Sequence, residues 1–134
     1  MIVLDASALV DVLIDRPNKA AVLEHFGQPL VAPAHQLAEV VSALARLRRA
    51  GTISGEDAKA AVREAVGLAQ EVVPWDAALL EAALALDGRL RVLDAVYVAL
   101  ALRRGCPLLT SDRRLGRADP PCELILAAPP EPQD

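Results

Sequence analysis

The sequence predicts a three-layer α/β/α domain built around a short, mainly parallel sheet of four to five strands. Three observations carry this expectation. Short apolar runs alternate along the chain with stretches of helical periodicity, the pattern of strand–helix–strand units. Hydrophobic residues make up 54% of the chain while aromatics make up 2%, so the core must be assembled from Ala, Leu and Val. At 134 residues the chain is long enough, as one domain, to bury roughly two-thirds of the surface exposed when unfolded.

Each element has a local reason. Ile2-Val3-Leu4 reads as a first strand, followed by a helix over residues 7–14 that Arg16-Pro17 breaks. Asn18 is placed to cap a second helix ending near Gly27. Leu30-Val31-Ala32 is a second strand, closed by Pro33, and a long helix over 34–50 stops at Gly51. Ser54 and Asp57 have the spacing of a capped helix start, with the helix reaching about residue 69. Val72-Val73 is a third strand. Asp76 then caps a helix that ends before Gly88, and a further helix covers 93–104 with Gly105 as its stop. Leu108-Leu109-Thr110 and Leu124-Ile125-Leu126 complete the strands. Residues 1–127 are expected to form the domain, and 128–134, with Pro129-Pro130-Glu131-Pro132, a disordered tail.

Composition narrows the function classes. The net charge of −4 has the wrong sign for a protein holding nucleic acid on a general basic surface. Arginines do cluster, at Arg46/Arg48/Arg49, Arg103/Arg104 and Arg113/Arg114/Arg117, so any such contact is expected to be local and assisted by a cation. Phe26, Trp75 and Tyr97 are too few for a base-stacking platform. Cys106 and Cys122 sit in apolar contexts without metal-ligand spacing and read as structural thiols in a reducing compartment. No basic segment precedes a long apolar one at the start, and no apolar run approaches the ~20 residues of a membrane span. A cytoplasmic protein is expected.

The acids are the informative residues. Open α/β sheets bind ligands at the carboxyl ends of their strands, and two strands here run into an aspartate at that end: Asp5 and Asp112. Each alone is also a common helix cap or turn residue. Asp94 has Tyr97, Val98 and Ala101 at i+3, i+4 and i+7, so its carboxylate projects from an apolar face. Such a group needs a cation, a hydrogen-bond network or the positive end of a helix, and both metal ligation and the helix dipole satisfy it. Leu37, Val41 and Leu44 mark the core face of the 34–50 helix. Glu39 falls opposite, with His35, Ser42 and Arg46, as either a solvated or a cleft-lining glutamate would. Asp11, Asp15, Asp57, Asp76, Asp87 and Asp119 fit helix surfaces, caps or turns. His25 and His35 lack the spacing of a zinc site or an acid–base pair and read as solvated.

Asp5-Ala6-Ser7-Ala8-Leu9, then Glu39 in a helix, then Asp94-Ala95-Val96-Tyr97-Val98-Ala99-Leu100-Ala101, then Thr110-Ser111-Asp112 resembles the PIN domain. Within that superfamily the pattern is similar to the small VapC toxins of toxin–antitoxin pairs, in order and over almost the whole chain. The resemblance implies an endoribonuclease in which Asp5, Glu39, Asp94 and Asp112 coordinate one or two Mg²⁺ or Mn²⁺ ions through oxygen. It places Ser7 and Thr110 behind those carboxylates. Arg113, Arg114 and Arg117 are then either holders of flanking RNA phosphates or a solvated charged turn. It further implies a homodimer, a transfer-RNA or ribosomal-RNA substrate, and an antitoxin of the VapB type laying a helix in an apolar groove. Leu9, Val10, Leu13, Val22, Leu23 and Phe26 are candidates for that groove or for the core. Two rivals remain: a receiver-like Mg²⁺-binding domain, for which Lys19 and Lys59 are badly placed, and a non-catalytic acidic module binding a basic partner.

Overall fold

The computed structural model describes residues 1–127; the tail expected at 128–134 lies outside them. Strands β1 (Ile2–Leu4), β2 (Leu30–Pro33), β3 (Glu71–Val73), β4 (Leu108–Thr110) and β5 (Leu124–Leu126) form one sheet in the order β3-β2-β1-β4-β5. Every neighbouring pair is parallel, so the expected mainly parallel sheet is parallel throughout. The helices are α1 (Ala6–Leu13), α2 (Lys19–Leu23), α3 (Gln36–Arg49), α4 (Gly55–Gly67), α5 (Ala77–Leu84), α6 (Val92–Arg104) and α7 (Arg113–Arg117).

Both faces of this sheet are covered, which is why its central strands read as unbroken apolar runs. Side chains alternate along β1: Ile2 and Leu4 enter one core with Leu9, Val22, Val40, Leu44, Ala61 and Ala65, contributed by α1 to α4. Val3 enters the other core with Leu79, Ala83, Val96, Tyr97 and Leu100 from α5 and α6. Leu109 and Leu108 divide in the same way. Each fully buried Leu or Ile contributes roughly 1.5–3 kcal/mol of transfer free energy. The register sets Leu4 beside Leu109, so the chain leaves β1 and β4 at one rim and brings Asp5 near the end of β4.

Several local expectations hold by hydrogen bond. Ser54 Oγ accepts from Asp57 N at 3.0 Å, and Asp76 Oδ1 accepts from Leu79 N at 2.7 Å. Gly105 ends α6 with φ of +60°, a left-handed conformation that a side chain would oppose.

Others are corrected. Asn18 caps nothing: its backbone is already helical, and its side-chain nitrogen donates to Asp11 Oδ2 at 3.0 Å. Asp11, read as a surface acid, is consequently buried. Helix α2 stops at Leu23, with turns carrying the chain on to Gly27. Pro33 is the last residue of β2 and not its terminator; it pairs with Val73. On α3 the buried positions are Gln36, Val40 and Leu44, while Val41 is exposed. The wheel drawn from Leu37, Val41 and Leu44 was thus rotated, because a buried glutamine does not register as a core residue. Of the residues weighed for groove or core, Leu9 and Val22 are core, Val10 belongs to the core and also lines a cleft, and Leu23 is exposed.

Candidate active site

Asp5 follows β1 directly and starts α1, yet its carboxylate caps no helix N–H. Its Oδ2 instead accepts the hydroxyls of Ser7 at 2.7 Å and Thr110 at 2.6 Å. The two hydroxyls lie 3.1 Å apart, and each accepts a backbone N–H from the β4 exit: Ser111 N to Ser7 and Asp112 N to Thr110. The β1 and β4 ends are therefore tied through one carboxylate. Thr110 and Asp5 are almost wholly buried. Burial pushes the Asp5 carboxyl above its ordinary range; the two hydroxyls oppose this, and Glu39 and Asp112 add to it.

Glu39 arrives from the first turn of α3. Its Oε1 accepts the Tyr97 hydroxyl at 2.7 Å and lies 3.4 Å from His35 Nε2. His35 is buried, which corrects its reading as a solvated histidine. Its ring meets Tyr97 edge-on at 4.7 Å and Trp75 at 5.5 Å, and its Nε2–H donates to the Leu93 carbonyl at 3.1 Å. Burial lowers the His35 pKa, so the ring is neutral near pH 7 and its contact with Glu39 is not a charge pair. Burial raises Glu39, the Tyr97 hydrogen bond opposing and Asp94 reinforcing.

Asp94 sits in the first turn of α6, and Asp112 precedes α7. One nitrogen, Arg114 Nη2, bridges them, at 3.2 Å from Asp94 Oδ2 and 2.8 Å from Asp112 Oδ2. Asp112 also accepts Arg114 N at 2.9 Å, so it is a helix cap as well as a rim acid. Burial raises Asp94, with Asp5 adding and Arg114 opposing. Burial would raise Asp112 too, but the hydrogen bonds and charge of Arg114 outweigh it, and Asp112 is held below its ordinary value.

All four acids line one cleft of about 1180 Å³, together with Ser7, His35, Trp75, Arg16, Arg46, Arg91 and Arg114. Of the three arginines singled out near Asp112, Arg114 lines it, whereas Arg113 and Arg117 do not. Arg103 and Arg104 are committed elsewhere, to Asp76 and Glu71. Tyr97, His35 and Gln36 were missed at the sequence level. His35 lies i−4 from Glu39, a helical spacing that places it beside its acid, whereas Tyr97 bonds an acid 58 residues away and no local spacing signals that pairing. Gln36 carried no such signal; wholly buried, it donates to the Leu4 carbonyl at 3.0 Å and joins Gln70, anchoring α3 to the end of β1.

The donor chemistry fits a hard divalent cation: carboxylate oxygens gathered in a cleft, with no thiol among them. Among the described residues, no three acidic, histidine or cysteine side chains are grouped as a ready-made metal cage. The Arg114 guanidinium, a cation in its own right, stands between two of the four acids.

The sequence profile of the PIN domain matches residues 2–120. Ribonuclease VapC3 of Mycobacterium tuberculosis is 41% identical over 128 residues, which cover 92% of this chain and 91% of that one. Among solved structures, the VapC20 toxin of M. tuberculosis shares the fold at a TM-score of 0.66 and 18% identity, over 89% of this chain and 95% of that one. A toxin–antitoxin complex from Klebsiella pneumoniae does so at 0.68 and 17%, over 95% and 98%. The chain belongs to the PIN-domain family, among the VapC ribonucleases.

Proposed function

We propose that the chain is the toxin of a type II toxin–antitoxin pair, an endoribonuclease that hydrolyses RNA phosphodiester bonds and so arrests translation and growth. Residues 1–127 act as one PIN domain, and Asp5, Glu39, Asp94 and Asp112 hold Mg²⁺, with Mn²⁺ able to replace it. The single observation that carries this reading is the delivery of four carboxylates, from four separate parts of the chain, to one arginine-walled cleft. Identity to Ribonuclease VapC3 supports the choice of RNA.

When bound, a divalent cation in such a site activates water for in-line attack and neutralises charge on the phosphate. The protein's own groups set the geometry. Ser7 and Thr110 orient Asp5, Tyr97 orients Glu39, and the Arg114 backbone N–H orients Asp112. His35 commits its Nε2 hydrogen to the Leu93 carbonyl and packs its ring against Tyr97, the residue that holds Glu39. Arg16, Arg46 and Arg91 on the cleft walls offset RNA phosphates locally, as a chain of net charge −4 requires.

The substrate is a transfer or ribosomal RNA; the VapC20 neighbour is described as cleaving the sarcin–ricin loop. The partner is a VapB-type antitoxin, in keeping with the Klebsiella complex. Beyond the acids the cleft continues over Val10, Ala43 and Leu47, an apolar floor suited to an antitoxin helix. The toxin acts as a homodimer in the cytoplasm; no helix among the described residues is long and apolar enough to cross a membrane.

The test is cleavage of total RNA by the purified chain with Mn²⁺, followed by sequencing of the new ends. Discrete cuts are expected, abolished by chelator and reduced at least about a thousandfold in Asp94→Asn. If all RNA stays intact with Mn²⁺ and cells tolerate expression of the chain alone, the toxin reading fails.

A further inference from the structure

Arg114 is bound in an uneconomical way for a structural arginine. Arg103 addresses Asp76 with two nitrogens, at 2.9 and 2.8 Å, the parallel fork that makes arginine–carboxylate pairs strong. Arg114 offers one nitrogen to two carboxylates belonging to different elements. It acts there as a point cation between Asp94 and Asp112. Its side chain is 41% exposed, so water screens both contacts and each is weak.

Asp112 does not depend on that side chain for its position. The Arg114 backbone N–H holds Oδ1 at 2.9 Å, while the guanidinium takes Oδ2. Withdrawal of the guanidinium would leave Asp112 aimed as it is and free one oxygen on each of two acids. Asp5 and Glu39 meanwhile receive hydroxyls, not cations, so the four acids keep an excess of negative charge even with Arg114 in place.

We infer that Arg114 is the built-in counter-ion of the site: it occupies the position between Asp94 and Asp112 that a divalent cation takes by displacing it. The displaced guanidinium, tethered next to Asp112 on α7, then faces the cleft and binds an RNA phosphate there. The inference rests on reading the four acids as cation ligands. It explains why they share a cleft without being grouped as a cage: a monovalent guanidinium holds two of them until a divalent ion replaces it. Arg114 is thus a positioning residue that sets cation affinity, and each of its two posts has a separate readout.

The experiment is Mn²⁺ titration of the full chain by calorimetry and by the electron paramagnetic resonance of free Mn²⁺, with melting curves on the same samples. The expected result is that Arg114→Gln binds Mn²⁺ roughly three- to thirtyfold more tightly than the parent, the factor set by two half-exposed ion pairs. Without metal it melts lower than the parent, and saturating Mn²⁺ removes the difference. At saturating Mn²⁺ it cuts RNA more slowly, because the phosphate contact is gone. Arg114→Lys, which keeps the charge with smaller reach, falls between the two and serves if the glutamine variant misfolds. Arg117→Gln removes a charge from the same short helix and shifts Mn²⁺ affinity by less than about twofold.

If Arg114→Gln and Arg114→Lys bind Mn²⁺ no more tightly than the parent, while Asp112→Asn loses binding, the counter-ion role is wrong and the acid site stands. Equal tightening in Arg117→Gln would reduce the effect to general field and overturn the role as well. If neither the parent nor Arg114→Gln binds Mn²⁺, the reading of the four acids fails and the inference falls with it.

Discussion

Two groups of acids in this molecule are treated in opposite ways. Where the C-terminal end of α6 meets β3 and the start of α5, Glu71 and Asp76 are exposed, and each is forked by its own arginine. The Arg103 hydrogen bond and the Leu79 N–H together hold Asp76 down at about 2. At the rim above β1 and β4, four acids have one guanidinium between two of them, and three of the four are raised by burial. An acid that serves the fold is paired and left in water. An acid left buried and short of counter-charge costs stability, and under the proposed reading a bound cation would offset that cost.

The largest effect that would sharpen this contrast is at Asp5. Asp5→Asn keeps an oxygen for the Ser7 and Thr110 hydroxyls but removes the charge, and cleavage should fall about a thousandfold or more. In chelator the same variant should melt higher than the parent, by roughly 3–8 °C. The sign follows from linkage. Groups whose folded pKa is raised, here Asp5, Glu39 and Asp94, cost no stability below their ordinary pKa and cost progressively more as pH rises through the folded value. Metal-free parent should therefore lose stability as pH rises across that window, and Asp5→Asn should flatten the slope. Asp112 and Asp76 work the other way, adding stability that is lost as pH falls through their lowered values. A metal-free melting temperature lower in Asp5→Asn than in the parent at neutral pH would break the comparison.

A smaller effect is expected behind the acids. Tyr97→Phe removes the hydroxyl that orients Glu39 and should cost about 10–100-fold in cleavage or Mn²⁺ affinity, the range for such supporting hydrogen bonds. An unchanged variant would mean that Glu39 does not take part. The smallest effect belongs to the exposed pairs. Asp76→Asn breaks the fork with Arg103 while keeping a capping oxygen, and should lower the melting temperature by roughly 1–3 °C. Its rate of RNA cleavage should match the parent.

How much of this was legible beforehand depended on the range of the interaction. Strands of continuous Val, Leu and Ile, the Ser54 and Asp76 caps and the Gly105 stop are local and were readable. Asp5 and Asp112 were readable as strand-end acids. Asp94 was readable as an acid among apolar residues. Glu39 entered through the family resemblance. The misreadings share one cause. Asn18, His35 and Gln36 look like surface residues in sequence, and each is claimed by a partner that only folding supplies: Asp11, Leu93 and the end of β1.

By itself, then, the sequence determined the alternation that builds a parallel sheet with covered faces, and the identity of the acids at its rim. Only the tertiary structure decided how those acids are held. Asp5 is bound by a hydroxyl 105 residues away and Glu39 by one 58 residues away, and a single arginine is shared between two acids 18 residues apart. Periodicity reports which face a residue is on. It does not report which groups from other faces will meet it, and at this rim those meetings set the charge and the geometry of the acids.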